Sequence, residues 1–217
     1  MQSIEMDDNL SDRVFFPLML LAAISMVFVA ARRPAPTCPS GSVSVSNTYY
    51  KVIPLTGHQL NRFVTNEHVQ KTDCNLETDY VLALTTAANK IYPESPDIGP
   101  HFRLAPDIES VFSGNQIKLL IEARSREKDA SFEVNYFAGP EGSSGWKRYE
   151  LNQTYQQYIF DYRVPTANQD SGVDFLGIRP TGTHSDTTIE IRDLTFLTLG
   201  LMSKDERDDA LAKFVKP

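Results

Sequence analysis

The 217 residues are 41% hydrophobic, 10% aromatic and 23% charged, enough for one full domain with a smaller appendage and too few for two large domains. With 11 glycines and 13 prolines the composition is neither collagen-like, disordered nor low-complexity. The 21 basic and 28 acidic side chains give a formal net charge of −7, so no nucleic-acid partner is expected, and two cysteines cannot build a disulfide-rich scaffold or a four-cysteine zinc site.

After a short N-terminal tail, residues 1–13, comes a segment of 18 residues, 14–31, with no charge and only Ser25 as a polar interruption. At 1.5 Å per residue it spans roughly 27 Å, which predicts a single transmembrane helix. Pro17 falls in its first turn, and Pro34 with Pro36 stops it beyond Arg32 and Arg33. The rival reading is a cleaved signal peptide ending at Val29-Ala30-Ala31, but the apolar stretch is longer than the usual h-region and Arg13 is a thin n-region. Orientation is contested: Arg32, Arg33 and Lys51 after the helix favour a cytoplasmic C-terminal domain. A tail too short to hold a function and cysteines able to pair in an oxidising space favour the opposite. The expectation is a single pass through the cytoplasmic membrane, with the globular domain on the periplasmic or extracellular side.

Residues 32–48 form a linker rich in Pro, Ser, Gly and Thr. Cys38 and Cys74 either close a loop of about 36 residues, worth about 3 to 4 kcal/mol in an oxidising compartment, or are two unrelated thiols. Over 49–200, runs rich in β-branched and aromatic residues recur at 49–53, 80–86, 117–123, 132–137, 146–151, 158–164, 175–178 and 188–198. Apolar residues fall at alternate positions in Ile117 to Ala123, in Phe132, Val134 and Tyr136, and in Tyr158, Phe160 and Tyr162, the period of a half-buried strand. Gly and Pro at Ser113-Gly114-Asn115, over 139–145 and over 180–183 mark reversals. No helical pattern separates strands after position 115, so the predicted class is all-β, a jelly-roll β-sandwich behind the helix. Leu60, Phe63 and Val64 hint at a short helix within 56–75, and in the C-terminal segment, 201–217, Ser203 with Glu206 matches a capping box before Ala210, Leu211 and Phe214.

The order FSGNQIKLLIEARS, ASFEVNYFAGPEG, GWKRYELNQTYQQYIFDYRVP, DFLGIRP and TIEIRDLTF over residues 112–197 resembles that of carbohydrate-binding-module-like, galactose-binding-like jelly rolls. The resemblance implies a sugar-binding sandwich. In many such folds an acid of the closing strand, here Asp193, helps to hold a structural calcium; the early partner acid is not identifiable in this sequence, and no metal and no cofactor are expected.

Gly142-Ser143-Ser144-Gly145 lacks the strand-to-helix setting of a nucleophile elbow, and His184-Ser185-Asp186 places triad residue types side by side where they cannot line up. The four histidines show no ligand spacing. Glu122 and Glu133 could face each other on neighbouring strands, the raw material of glycoside hydrolysis, or belong to a solvated face. Asn152-Gln153-Thr154 is a glycosylation sequon in a eukaryotic secretory setting. With the apolar alternation turned inward, Lys118, Glu122 and Arg124, Glu133 and Asn135, and Asp161 with Arg163 point outward on three strands, beside Trp146, Tyr149 and Tyr155. The candidate ligand site is therefore Trp146, Tyr149, Tyr155, Arg124, Glu133, Asn135 and Arg163, with no catalytic residue. The alternative is that Trp146 fills the core and the charges pair across strands. Together these features predict a membrane-anchored, non-catalytic domain that binds a cell-envelope or extracellular polysaccharide. The alternatives are an interaction or scaffold subunit that docks a membrane-protein partner through the helix and the C-terminal segment, and a glycan-active enzyme.

Overall fold

The chain divides into two compact units, Met1–Thr37 and Cys38–Pro217. The computed structural model describes residues 17–26, 41–43, 50–71, 80–86, 95–167, 172–181 and 186–214. In the first unit residues 17–26 form helix α1, with exposed side chains and the Ser25 hydroxyl donating to Leu21 O at 2.6 Å. The ends of the 14–31 segment lie outside the described residues, as do Cys38, Cys74, His184 and Ser185. Among the described residues no helix is long and apolar enough to cross a membrane.

The second unit is an all-β sandwich. Its strands are β1 Val52–Thr56, β2 Val69–Lys71, β3 Leu82–Thr86, β4 His101–Arg103, β5 Gln116–Ser125, β6 Ser131–Phe137, β7 Lys147–Glu150, β8 Gln156–Arg163, β9 Phe175–Thr181 and β10 Thr187–Thr198, with helices α2 Pro106–Phe112 and α3 Lys204–Phe214. The larger sheet runs β2-β3-β10-β5-β8, with β1 also on β10, and the smaller runs β4-β9-β6-β7. The antiparallel pairs β3 with β10, β4 with β9, β5 with β8 and β6 with β7 are nested, and they alternate between the two sheets. The chain thus doubles back at the β6–β7 turn and the double ribbon is wound up, the arrangement of a jelly roll. Gly142 and Gly145, at φ 147° and 67°, supply the backbone that this reversal needs.

Alternation explains the core. Ile117, Leu119, Ile121 and Ala123 of β5, Phe132, Val134 and Tyr136 of β6, Phe160 of β8, and Ile189, Ile191, Leu194 and Phe196 of β10 all point between the sheets and are buried. Each such large side chain contributes about 1.5 to 3 kcal/mol of burial. Among the described strands and α-helices, three escape the sequence reading: the three-residue strands β2 and β4, and α2, which buries Ile108 and Phe112. Tyr50 and Lys51, expected in the first strand, form a turn before it begins at Val52, and Pro180 and Thr181 end β9 instead of opening a turn. The hint around Leu60 is a 3-10 helix, Gly57–Arg62. The capping box forms as expected: Ser203 N donates to Glu206 Oε2 at 2.9 Å and Glu206 N to Ser203 Oγ at 3.2 Å, and α3 follows.

Asp174 enters β9 as a buried carboxylate. It accepts from Tyr136 Oη at 2.5 Å, its amide donates to Glu109 Oε1 at 2.9 Å, and its carbonyl accepts from Leu104 N, so it ties β6, α2 and β4 together. Burial pushes its carboxyl up, the Tyr136 hydroxyl opposes this, and the charges of Glu109 and Glu141 add to it, leaving it at about 6. Because the folded value exceeds the unfolded one, the folded state binds the extra proton between pH 3.8 and about 6. The ionised form therefore costs stability, a penalty that grows over that window and is fully present above it. Asp174→Asn keeps an acceptor for Tyr136 and removes the charge. Its melting temperature is expected to exceed that of the wild type at pH 7.5, with the difference vanishing toward pH 4; a gap independent of pH in thermal melts would contradict this account.

Candidate ligand-binding site

The alternation that buries Ile117 to Ala123 turns Lys118, Leu120, Glu122 and Arg124 of β5 to the outer face of the large sheet, and the register sets Gln157, Ile159 and Asp161 of β8 beside Glu122, Leu120 and Lys118. An apolar strip crosses this face, made by Val52, Leu197, Leu120 and Ile159, and α3 covers it with Ala210, Leu211 and Phe214, helped by Leu199 and Met202. Two contacts fix the helix across the strands. Lys51 Nζ lies 2.7 Å from Glu206 Oε1 before β1, and Gln157 Nε2 donates to Phe214 O at 2.7 Å on β8.

Beyond the last turn of α3 the face is open and polar. The β10–β5 register shifts between Ile191 and Asp193, and this bulge lets both Arg192 and Asp193 face outward. A cavity of about 160 Å³ opens there, with Glu122, Gln157, Asp193 and Thr195 on its floor and Lys213 and Phe214 of α3 as its wall. Glu122 joins this cavity to a second group, because Arg192 Nη2 reaches Glu122 Oε1 at 2.5 Å and its Nε reaches Oε2 at 3.2 Å. The guanidiniums of Arg192 and Arg124 lie 4.5 and 4.4 Å from the centre of the Tyr155 ring. Tyr155 Oη donates to Glu190 Oε2 at 3.2 Å, which also accepts from Arg124 Nε at 2.7 Å, while Arg126 Nε is 2.9 Å from Glu190 Oε1. Burial raises the Glu190 carboxyl, but the Arg124 hydrogen bond and the Arg124 and Arg126 charges outweigh it and hold it below its ordinary value. The outcome is a groove: a polar cavity with Phe214 in its wall, continued along the face, through the Arg192–Glu122 pair, by the cluster of Arg192, Tyr155, Arg124 and Glu190.

The seven residues expected at the site fall into four places. Arg124 and Tyr155 meet in this groove. Glu133 and Asn135 lie on β6, in the other sheet, so they do not share a face with Lys118, Glu122 and Arg124; alternation fixes which residues face outward but not which sheet a strand joins. For the same reason Glu122 and Glu133 do not face each other. Each binds an arginine instead, Arg192 and Arg179, the latter with Arg179 Nη2 2.7 Å from Glu133 Oε2. Tyr149 turns inward and stacks on Phe132 at 5.3 Å. Arg163 pairs with Gln116 about 20 Å along β8 from Gln157, beyond the strip that α3 covers.

Trp146 is neither in the core nor in the groove. Half-buried on the outer face of the small sheet, it meets Pro96 over Gly177, with the Arg179 guanidinium 3.9 Å from its ring centre. The close approach requires glycine: a Cβ on Gly177 would stand 2.7 Å from Trp146 Cη2 and 2.8 Å from Pro96 Cβ. Sequence reasoning missed Arg192, Glu190, Arg179 and Gly177. Arg192 and Glu190 sit in a strand whose alternation the bulge breaks, and a lone glycine in a strand signals close backbone approach without naming the partner. Gly177→Ala is expected to lower stability by about 1 to 3 kcal/mol and to expose the indole. Denaturant titration and a red shift of emission in the folded protein check this; unchanged values for both would show that the ring has room to move.

No family model matches the chain, and no curated protein does. Solved carbohydrate-binding modules are similar to it in fold. BiXyn10A CBM1 in its apo form is 18% identical, covering 62% of this chain and 86% of that one with a TM-score of 0.39. The CBM22-1 xylan-binding domain of Paenibacillus barcinonensis Xyn10C is 10% identical, covering 64% and 87% with a TM-score of 0.42. The C-terminal family 22 carbohydrate-binding module of Clostridium thermocellum Xyn10B is 13% identical, covering 74% and 91% with a TM-score of 0.39.

Proposed function

We propose that the sandwich is a non-catalytic carbohydrate-binding domain whose ligand lies in the groove between Tyr155 and the last turn of α3. The segment 14–31 holds it at the cytoplasmic membrane with the sandwich on the periplasmic or extracellular side. The observation that carries the glycan reading is the site itself: sugar rings offer flat C–H faces to aromatic side chains and hydroxyls to polar ones, and here Phe214 walls a cavity with Glu122, Gln157, Asp193 and Thr195, while Tyr155 stands in the adjoining cluster with Arg192, the partner of Glu122. A binding role fits the charges better than hydrolysis does. A general acid in this groove would need a raised carboxyl, whereas Glu190 is held low and Glu122 is engaged by Arg192; the raised carboxyl of Asp174 is bonded to Tyr136 and is not among the residues lining the cavity. The apolar side of α3, which a scaffold subunit would use for docking, is packed on the chain's own sheet. The length and hydropathy of 14–31 support the anchor.

Calorimetric titration of the chain with a panel of polysaccharides is expected to find a saturable ligand. Tyr155→Ala should weaken it by about 5- to 30-fold, the loss of roughly 1 to 2 kcal/mol of stacking, with an unchanged circular dichroism spectrum. Absence of binding across the panel, or a Tyr155→Ala variant that binds as the wild type does, would remove the glycan reading of this groove. For the anchor, the full chain is expected to stay in carbonate-washed membranes and to lose that association when Leu20 and Ile24 are replaced by Lys; recovery of the wild type in the wash would remove it.

A further inference from the structure

We infer that the groove takes a glycan bearing acidic groups, carboxylates or sulfate esters, and that the outward guanidiniums of Arg126, Arg192 and Arg124 receive them. This rests on the glycan reading of the same groove and goes beyond it by fixing the ligand's charge. The two signs of charge are sorted by depth: the side chains of Glu190 and Glu122 are 10% and 13% exposed, those of Arg124, Arg192 and Arg126 are 31%, 46% and 75% exposed. A ligand entering the groove from solvent meets cations first, three arginines over two glutamates, in a chain whose net charge is −7. Asp193 on the cavity floor also acts on Arg192, and with Lys213 in the wall four cations face three carboxylates around the site.

The guanidiniums are also set up to bind. Each carries five N–H donors in a planar fork that matches a carboxylate or sulfate. The glutamates engage Nε and Nη2 of Arg124, Nε and Nη2 of Arg192, and Nε of Arg126, which leaves the other edges for a ligand. Arg124 and Arg192 are further held against the Tyr155 ring, so less side-chain freedom is lost on binding than at a loose surface arginine. A sugar ring over the groove would bring its acidic substituent to these edges while its hydroxyls reach Gln157 and Thr195.

The test compares matched pairs on the full chain: polygalacturonate against its methyl ester for the carboxylate, and carrageenan against desulfated carrageenan for the sulfate. The acidic member of at least one pair is expected to bind about tenfold more tightly than its neutral partner, to weaken as salt rises from about 0.05 to about 0.5 M, and to lose that advantage in Arg126→Ala. Which pair shows it identifies the group. Arg163→Ala, an exposed arginine at the far end of the face, should bind like the wild type. Equal binding of acidic and neutral members overturns the inference and leaves the glycan reading standing. Binding by neither overturns both, and an equal loss in Arg163→Ala shows diffuse attraction and overturns the inference alone.

Discussion

The backbone ladder of β10 holds the large sheet together. Its residues 187–191 pair with β3, its residues 193–197 pair with β1, and β5 follows it on the other side over nearly its whole length. A strand that is central to three partners cannot slip by one residue without turning Ile189, Ile191, Leu194 and Phe196 out of the core, so its register is fixed by burial on the inner face. The one irregularity it tolerates is the bulge at Arg192, and that irregularity builds the outer face: without the extra residue, Arg192 and Asp193 could not both stand beside Glu122.

The outer face is divided by α3. Its sequence is mostly charged, and only Ala210 is buried outright, so the helix owes its place to the strip of Leu120, Leu197, Val52 and Ile159 beneath it and to its cap at Ser203. Covering that strip removes an apolar band from a face otherwise lined with charge and leaves the polar end as a bounded groove. Fold stability and site shape therefore share residues: Leu120 lies under the helix and also lines the cavity.

What the sequence made legible follows from periodicity. Period-two alternation in 117–123, 132–136 and 158–162 located β5, β6 and β8 with their inward faces, and Ser203 with Glu206 located α3. Strands of three residues, such as β2 and β4, are too short to show a period, and the β10 bulge interrupts one. Alternation carries no information on sheet membership, which is why Glu133, outward on β6, was grouped with Glu122, outward on β5, although the nested winding sends their strands to opposite layers. Arg124 and Tyr155 were recognisable as candidates from outward position and aromatic character. Their partners Arg192 and Glu190 required the register.

Trp146 and the groove lie on opposite outer faces, and two stacked sheets stand about 10 Å apart before side chains are counted. The single indole of the chain therefore works as an internal reference that a ligand in the groove does not touch. Its emission monitors the integrity of the sandwich while occupancy is read by other means. A change in that emission on adding ligand would signify that the two layers move against each other.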